Sequence, residues 1–368
     1  MTSPDRDDRV RGCLAAGAVG DALGAPVEFW AIDEIRARLG ADGVTDLIED
    51  PPAVTDDTQL TLFTAEGLVR AAIRYQDKGI CHPASVVHHA YLRWLHTQGV
   101  SWDTAGRRFG SDAPDGWLVG EGRLRRRRAP GNTCLSALSS GDAGTLDAPI
   151  NDSKGCGGVM RVAPVGLMFD DPERSFRTGC ELAAITHGHP CAWLPAGVLA
   201  ATVTHLVAGD TVDDSVAAGR RLLDRRPGAA DTAAIETAAA ETAAALDAAI
   251  RLAGDGLPAP EQLEHLGSAW VGEEALAIAV CCALATTDAR AALLAAVNHS
   301  GDSDSTAAIC GNLVGAAYGS DAVPSGWLRA LDVGDVVEQV ADDLCVAHRY
   351  GRGGTRPPDD WFARYPGW

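Results

Sequence analysis

The apolar positions of this chain recur three and four residues apart almost throughout, and many of the recurring residues are small. Residues 10–23 carry Leu14, Ala18 and Ala22 at a spacing of four. Residues 57–74 set Leu60, Phe63 and Gly67 on one face, with Leu62, Val69 and Ile73 nearby. Residues 83–95 repeat the pattern with Val86, Ala90 and Trp94. Residues 180–185, 196–207, 216–223, 274–285, 289–297, 305–317 and 333–348 read likewise. Apolar side chains at this period line one face of a helix. Clean alternation bounded by hairpin turns, the mark of strands, is missing. Ala is the strongest helix former, and small residues let backbones approach closely. The expected fold class is all-α, with many tightly packed helices.

With 368 residues, 46% of them apolar, the chain can bury a sizeable core. Residues 231–253 are so rich in Ala that they read as a helix rather than a disordered linker. Residues 254–260, GDGLPAP, read as a loop, and breakers cluster at 50–52, 112–116 and 129–132. None of these stretches is long enough to separate independent halves, and no repeat is visible. A single domain over residues 1–368 is expected, with the Gly-, Pro- and Trp-rich tail at 351–368 lying extended across the surface. The longest wholly apolar run, 275–285, has 11 residues, where a membrane span needs about 20. The start, MTSPDRDDRVRG, is polar and resembles no export signal. A cytoplasmic location without a membrane is therefore expected, with the 10 cysteines as buried free thiols. No Cys-x-x-Cys pair exists, and the adjacent Cys281 and Cys282 are poorly spaced for zinc.

Lys plus Arg is 31 and Asp plus Glu is 50, so the net charge is 31 − 50 = −19. Nucleic-acid binders need a basic surface, so no nucleic-acid partner is expected. An anionic ligand would need local help from a metal ion or a helix N-terminus. The same charge disfavours self-association and points to a monomer. One run opposes the trend: Arg123, Arg125, Arg126, Arg127 and Arg128 form either a salt-bridged surface or a docking patch for an anionic partner.

Two oxygen-rich clusters stand just before helical stretches. Thr55-Asp56-Asp57-Thr58 opens the first; Asp302, Asp304, Ser305 and Thr306 open the second, about 240 residues later. Thr and Asp cap helices, but capping does not need four consecutive oxygen-bearing side chains. Adjacent carboxylates repel unless a cation joins them. The second cluster fails as an EF-hand: counted from Asp302, positions 6 and 12 are Ala307 and Leu313 rather than Gly and Glu. If the two helix starts face each other, four carboxylates and two hydroxyls converge. Such an all-oxygen set selects Mg²⁺, Mn²⁺ or Ca²⁺ over zinc and suffices for two ions. Asp21 and Glu28 sit in an otherwise apolar, glycine-containing stretch, either solvated or functional. Gly155, Gly157 and Gly158, with Ser153 before them, suit a backbone cradle for phosphate. His187 and His189 in Thr-His-Gly-His-Pro are buried or capping imidazoles, or else metal ligands of a different hydrolase type.

The segments GCLAAGAVGDALGAPVEF, TDDTQLTLFTAEGL, GCGGVMRVAPVGL, ITHGHP and GDSDSTAAICGNLVGAAYG, in this order over residues 10–320, resemble the ADP-ribosylglycohydrolase family. The resemblance implies a compact orthogonal multi-helix bundle with a dimagnesium centre in a central cleft. It makes Thr55, Asp56, Asp57, Asp302, Asp304 and Ser305 the ligands of two Mg²⁺ ions, for which Mn²⁺ could substitute. It places Asp304 as the bridging carboxylate and Glu28 beside the metals. It puts Ser153, Gly155, Gly157 and Gly158 along the diphosphate and distal ribose, and His187 near the substrate. Three positions depart from the family pattern: Ser305 where Thr is frequent, Cys156 where Asn is common, and Lys154 where some members carry an aromatic. The implied activity is Mg²⁺-dependent hydrolysis at ribose C1″ of an ADP-ribosylated protein or small molecule. Glu28 or Asp302 would be the general base. A catalytically silent ADP-ribose-binding or structural member is the alternative.

Overall fold

Most of the long helices begin on a side chain able to accept their first free N–H groups. The computed structural model describes residues 3–106, 112–225 and 232–367. Asp5 opens α1 (Arg6–Gly24), Thr55 opens α3 (Asp56–Lys78) and Asp302 opens α15 (Ser303–Tyr318), each accepting a backbone N–H of the first turn. Asp171, Thr211 and Asp288 do the same for α8 (Pro172–Ala184), α10 (Val212–Arg221) and α14 (Ala289–Val297). Between these lie α2 (Ile32–Leu39), α4 (Pro83–Thr97), α5 (Trp102–Ala105), α6 (Asn132–Ser139) and α7 (Ala163–Met168). Then come α9 (Pro190–Ala208), α11 (Thr232–Ala253), α12 (Pro260–Leu263) and α13 (Gly272–Ala285). The order closes with α16 (Ser325–Ala330), α17 (Gly334–Gly351) and α18 (Asp359–Arg364). Among the described residues there is no strand, only an isolated bridge between Gly155 and Val271. The all-α expectation holds.

Among the described residues the most extensive helix pairing joins elements far apart in the chain. α1 lies along α15 at backbone contact. A Cβ added to Gly20 would sit 2.1 Å from the Ala307 carbonyl oxygen, and one on Gly311 would sit 2.1 Å from that of Ala16. The cost of glycine inside a helix is thus offset by a contact no larger residue allows. Asn312 Nδ2 donates to the Cys13 carbonyl at 2.9 Å, and Arg9 donates to the carbonyls of Ala316 and Ala317. Around this pair, α3 packs on α4 and α17, α8 on α9, and α11 on α13. One cluster of buried apolar side chains runs from Val10 to Tyr365. α9 is long and apolar enough to cross a membrane by length and composition, but 89% of its most apolar window is buried within the protein.

The tail differs from its expected extended form. Residues 359–364 are helical, Trp361 is 2% exposed, and the Tyr365 hydroxyl donates to Asp343 Oδ2 at 2.9 Å. Arg364 pairs with the same carboxylate. Spacing Trp361 and Tyr365 four apart gives even this short segment an apolar face to bury. All ten cysteines are free, eight of them buried and Cys81 and Cys156 half-buried.

Candidate active site

The α1–α15 contact brings the two acidic helix starts into one cleft. α15 presents Asp302, Asp304 and Ser305, and α3 presents Asp56 and Asp57 opposite them. Glu28, at the end of the 3₁₀ turn that follows α1, completes the acidic wall. Carboxylate oxygens of Glu28, Asp302 and Asp304 lie within 4.8 Å of one another. The cleft encloses about 190 Å³, and its far wall is Gly155, Gly157 and His187 with Asn132 and Thr133. Thr55 lies just beneath it: its Oγ1 accepts the Asp57 N–H at 3.3 Å.

Asp21 organises the floor. Its carboxylate oxygens each accept the Thr55 N–H at 3.0 Å, and Oδ2 also accepts the Thr58 N–H at 3.0 Å. It is fully buried, not solvated, and so is held by α1 as a cap for α3. Glu28 is likewise only 8% exposed. Neither position is the surface carboxylate that sequence alone also allowed.

Asp21, Glu28, Asp56, Asp57, Asp302 and Asp304 are all buried. Among the described residues none of the six is ion-paired, and Asp57 Oδ1 is buried without a hydrogen-bond partner. Desolvation, then the charge of Asp302, pushes Glu28 up to about 8. Burial likewise lifts Asp56 to about 8 and Asp21 to about 6, and holds Asp57 and Asp304 well above the usual carboxylate range. A site built this way is strained as anions and relaxed by cations. Hard oxygens, an orphaned buried acceptor and no internal counter-charge fit one or more divalent ions.

The remaining residues singled out from sequence divide. Gly155, Gly157 and His187 reach the cleft, and a Cβ on Gly157 would meet His187 Cε1 at 3.0 Å. Burial and Arg161 hold the His187 imidazole neutral, down to about 3, while its Nδ1 contacts Thr186 Oγ1 at 2.8 Å. Ser153 stands behind the wall, its Oγ accepting the Gly155 N–H at 3.3 Å; Gly158 packs against Ala183. His189 caps α9 through Nδ1, so the two imidazoles serve different elements and make no joint metal site. The arginine run is mostly a salt-bridged surface: Arg123 grips Glu121 and Asp335, while Arg126 and Arg128 face Asp332 and Glu49. Sequence reasoning passed over Trp270, Met160, Cys134 and the loop through Gly131, whose N–H donates to Asp56 Oδ2 at 3.2 Å. Breakers at 129–132 marked that loop but not its destination.

Fold and cleft together define a helical protein with a carboxylate-rich, cation-seeking site faced by a glycine loop. Residues 2–353 match the ADP-ribosylglycohydrolase profile, and the chain belongs to the ADP-ribosylglycohydrolase family, whose members hydrolyse ADP-ribosyl linkages. It is 27% identical over 338 residues to the ADP-ribosyl-[dinitrogen reductase] glycohydrolase of Rhodospirillum rubrum, covering 90% of this chain and 93% of the relative. It is 22% identical to the ADP-ribosylarginine hydrolase Tri1 of Serratia proteamaculans, covering 92% of this chain and 79% of that one. Its fold matches a solved chain of an ADP-ribosylglycohydrolase-related protein complex, with a TM-score of 0.57, 24% identity, and coverage of 94% and 99%.

Proposed function

We propose that this protein is a Mg²⁺-dependent hydrolase that cleaves the bond at ribose C1″ of an ADP-ribosylated acceptor and releases ADP-ribose. The observation that carries the reading is the set of six buried carboxylates without a cationic partner among the described residues, one of them with an orphaned oxygen. Thr55, Asp56, Asp57, Asp302, Asp304 and Ser305 would hold two ions. When bound, Mg²⁺ supplies Lewis acidity that orients the ribose hydroxyls and acidifies a water. Glu28 stands against Asp302 and Asp304 and takes the proton of the attacking water at its carboxylate; Asp302 is the second candidate. The buried carboxylates face the positive charge that develops on the ribose. The backbone at Gly155 and Gly157, which lines the cleft, would run along the diphosphate, and the neutral His187 imidazole adds no competing charge. The strong negative charge favours a monomer, and we read its place of action as the cytoplasm and its substrate as a protein or small-molecule conjugate.

The test is a panel of arginine-, serine- and nucleobase-linked ADP-ribose, incubated with the protein and Mg²⁺ while free ADP-ribose is followed. At least one conjugate should be cleaved, and excess chelator should stop it. Turnover that continues in chelator would refute the metal-dependent mechanism. No release from any conjugate, with weak Mg²⁺ binding, would identify a silent binding member.

A further inference from the structure

The cleft is not lined by oxygen alone. Cys134, Cys156 and Met160 contribute sulfur to one of its walls. Cys134 is already engaged, its Sγ accepting from Arg161 at 3.4 Å. Cys156 is aimed the other way: its thiol donates to Asp302 Oδ2 at 2.7 Å. Ser305 Oγ lies 3.8 Å from Cys156 Sγ and 3.8 Å from Met160 Sδ. An ion held by Asp302 and Ser305 therefore has a thiol within reach.

We infer that Cys156 is a metal ligand of this cleft, pairing with Asp302 to capture a thiophilic divalent cation of the zinc class. The inference rests on the metal-centre reading above and adds a donor to it. Zinc bound at ~2.3 Å from sulfur and ~2.1 Å from oxygen in tetrahedral geometry separates those two atoms by about 3.6 Å. The observed 2.7 Å contact needs to open by less than one ångström, and the thiol proton leaves as the sulfur binds. The loop is pinned in place for this. The Cys156 N–H donates to the Trp270 carbonyl at 3.2 Å, and the Gly272 N–H donates to the Lys154 carbonyl at 2.9 Å. Asp57 lines the same cleft, is 3% exposed, and has a buried oxygen, Oδ1, without a hydrogen-bond partner. Thiolate favours zinc-class ions over Mg²⁺, which prefers oxygen alone. The centre is thus open to zinc, cobalt and cadmium through one side chain, at a position where the family pattern commonly has Asn.

A second thiol–carboxylate group, Cys191 with Glu241 and Glu273, also brings its ligand atoms within 4.8 Å of one another. Its Glu241 is exposed and faces Lys154 Nζ at 3.8 Å. The experiment must separate the two. Metal-stripped protein is titrated with Co²⁺ and followed by absorption for the sulfur-to-cobalt charge-transfer band, with circular dichroism as a folding control. Wild type, Cys191→Ser and Cys134→Ser should show the band, and Cys156→Ser and Cys156→Ala should not. Zn²⁺ affinity, measured by competition with a chromophoric chelator, should fall roughly 10–100-fold in both Cys156 variants, while Mg²⁺ affinity by calorimetry changes little. Cobalt binding without the band in wild type, or a band that vanishes with Cys191→Ser instead, would overturn the inference and leave the oxygen site standing. Failure of both Mg²⁺ and Co²⁺ to bind would overturn both readings.

Discussion

Asp21→Ala tests whether the start of α3 is held from α1. The substitution removes the acceptor for two buried backbone donors, Thr55 N–H and Thr58 N–H, both at 3.0 Å. Thr55 and Thr58 are 3% and 5% exposed, so water does not readily replace the carboxylate. A buried donor left unsatisfied costs about 1–3 kcal/mol, which gives ~2–6 kcal/mol for the pair. Part of this is returned because burial already works against the Asp21 charge, raising its pKa to about 6. A net loss of roughly 2–4 kcal/mol follows. At ~2.1 cal/mol/K per residue the 368-residue chain would lose about 3–5 °C in Tm. Asp21→Asn keeps one acceptor and should lose about half as much. The more telling effect is at a distance from the mutated atom. Thr55, Asp56 and Asp57 start the helix that Asp21 caps, so Mg²⁺ affinity should fall about tenfold or more without loss of a proposed ligand. Urea unfolding with and without Mg²⁺, and calorimetric titration of each variant, measure both. An Asp21→Ala protein with wild-type stability and wild-type Mg²⁺ affinity would show that the contact holds nothing.

Glu28→Gln keeps the shape of the side chain and removes the base, so kcat should drop ~10²–10⁴-fold while affinity for free ADP-ribose changes little. An unchanged single-turnover rate would pass the role to Asp302. Stability should also depend on pH with a definite sign. Glu28 and Asp56 rise from ordinary values of 4.5 and 3.8 to about 8, chiefly through burial. Carboxyls raised in the folded state contribute stability that is fully present below their unfolded values and lost as pH climbs through the folded ones. The metal-free protein should therefore weaken between about pH 4 and pH 8, and saturating Mg²⁺ should flatten that slope. Metal-free stability that rises steadily across this window would contradict the burial of uncompensated carboxyls.

Much of the fold was legible because helix period and caps are local. The segment at 289–297 coincides with α14, and the two clusters do open helices, although α3 and α15 begin earlier than the expected 57 and 305, so that Thr55 and Asp302 are the caps. The acidic pair was legible because capping left carboxylates over. What sequence did not carry depends on partners far along the chain. Asp21 looked like one acid in an apolar helix until α3 supplied the donors it accepts. The tail looked extended because Gly and Pro dominate its start, yet Trp361 and Tyr365 find a buried seat beside Asp343 on α17. Ser153 and Gly158 share a motif with Gly155 and Gly157, but the loop turns only part of it towards the cleft. Cys156 read as a departure from a pattern, and only its 2.7 Å approach to Asp302 gave it a chemistry.

The pairing of α1 with α15 has a consequence for how the protein is made. Its hydrogen bonds, such as Asn312 to Cys13, join residues 299 positions apart. On a ribosome, α1 emerges long before α15 and waits, its glycine face bare, until that helix has been synthesised. Closing so large a loop is slow, and domains on nascent chains fold as units once their parts are present. Asp302, Asp304 and Ser305 arrive on the same late helix, so the cleft and the long-range lock mature together. A chain cut short before residue 302 has neither, and metal retention can report that α15 has docked.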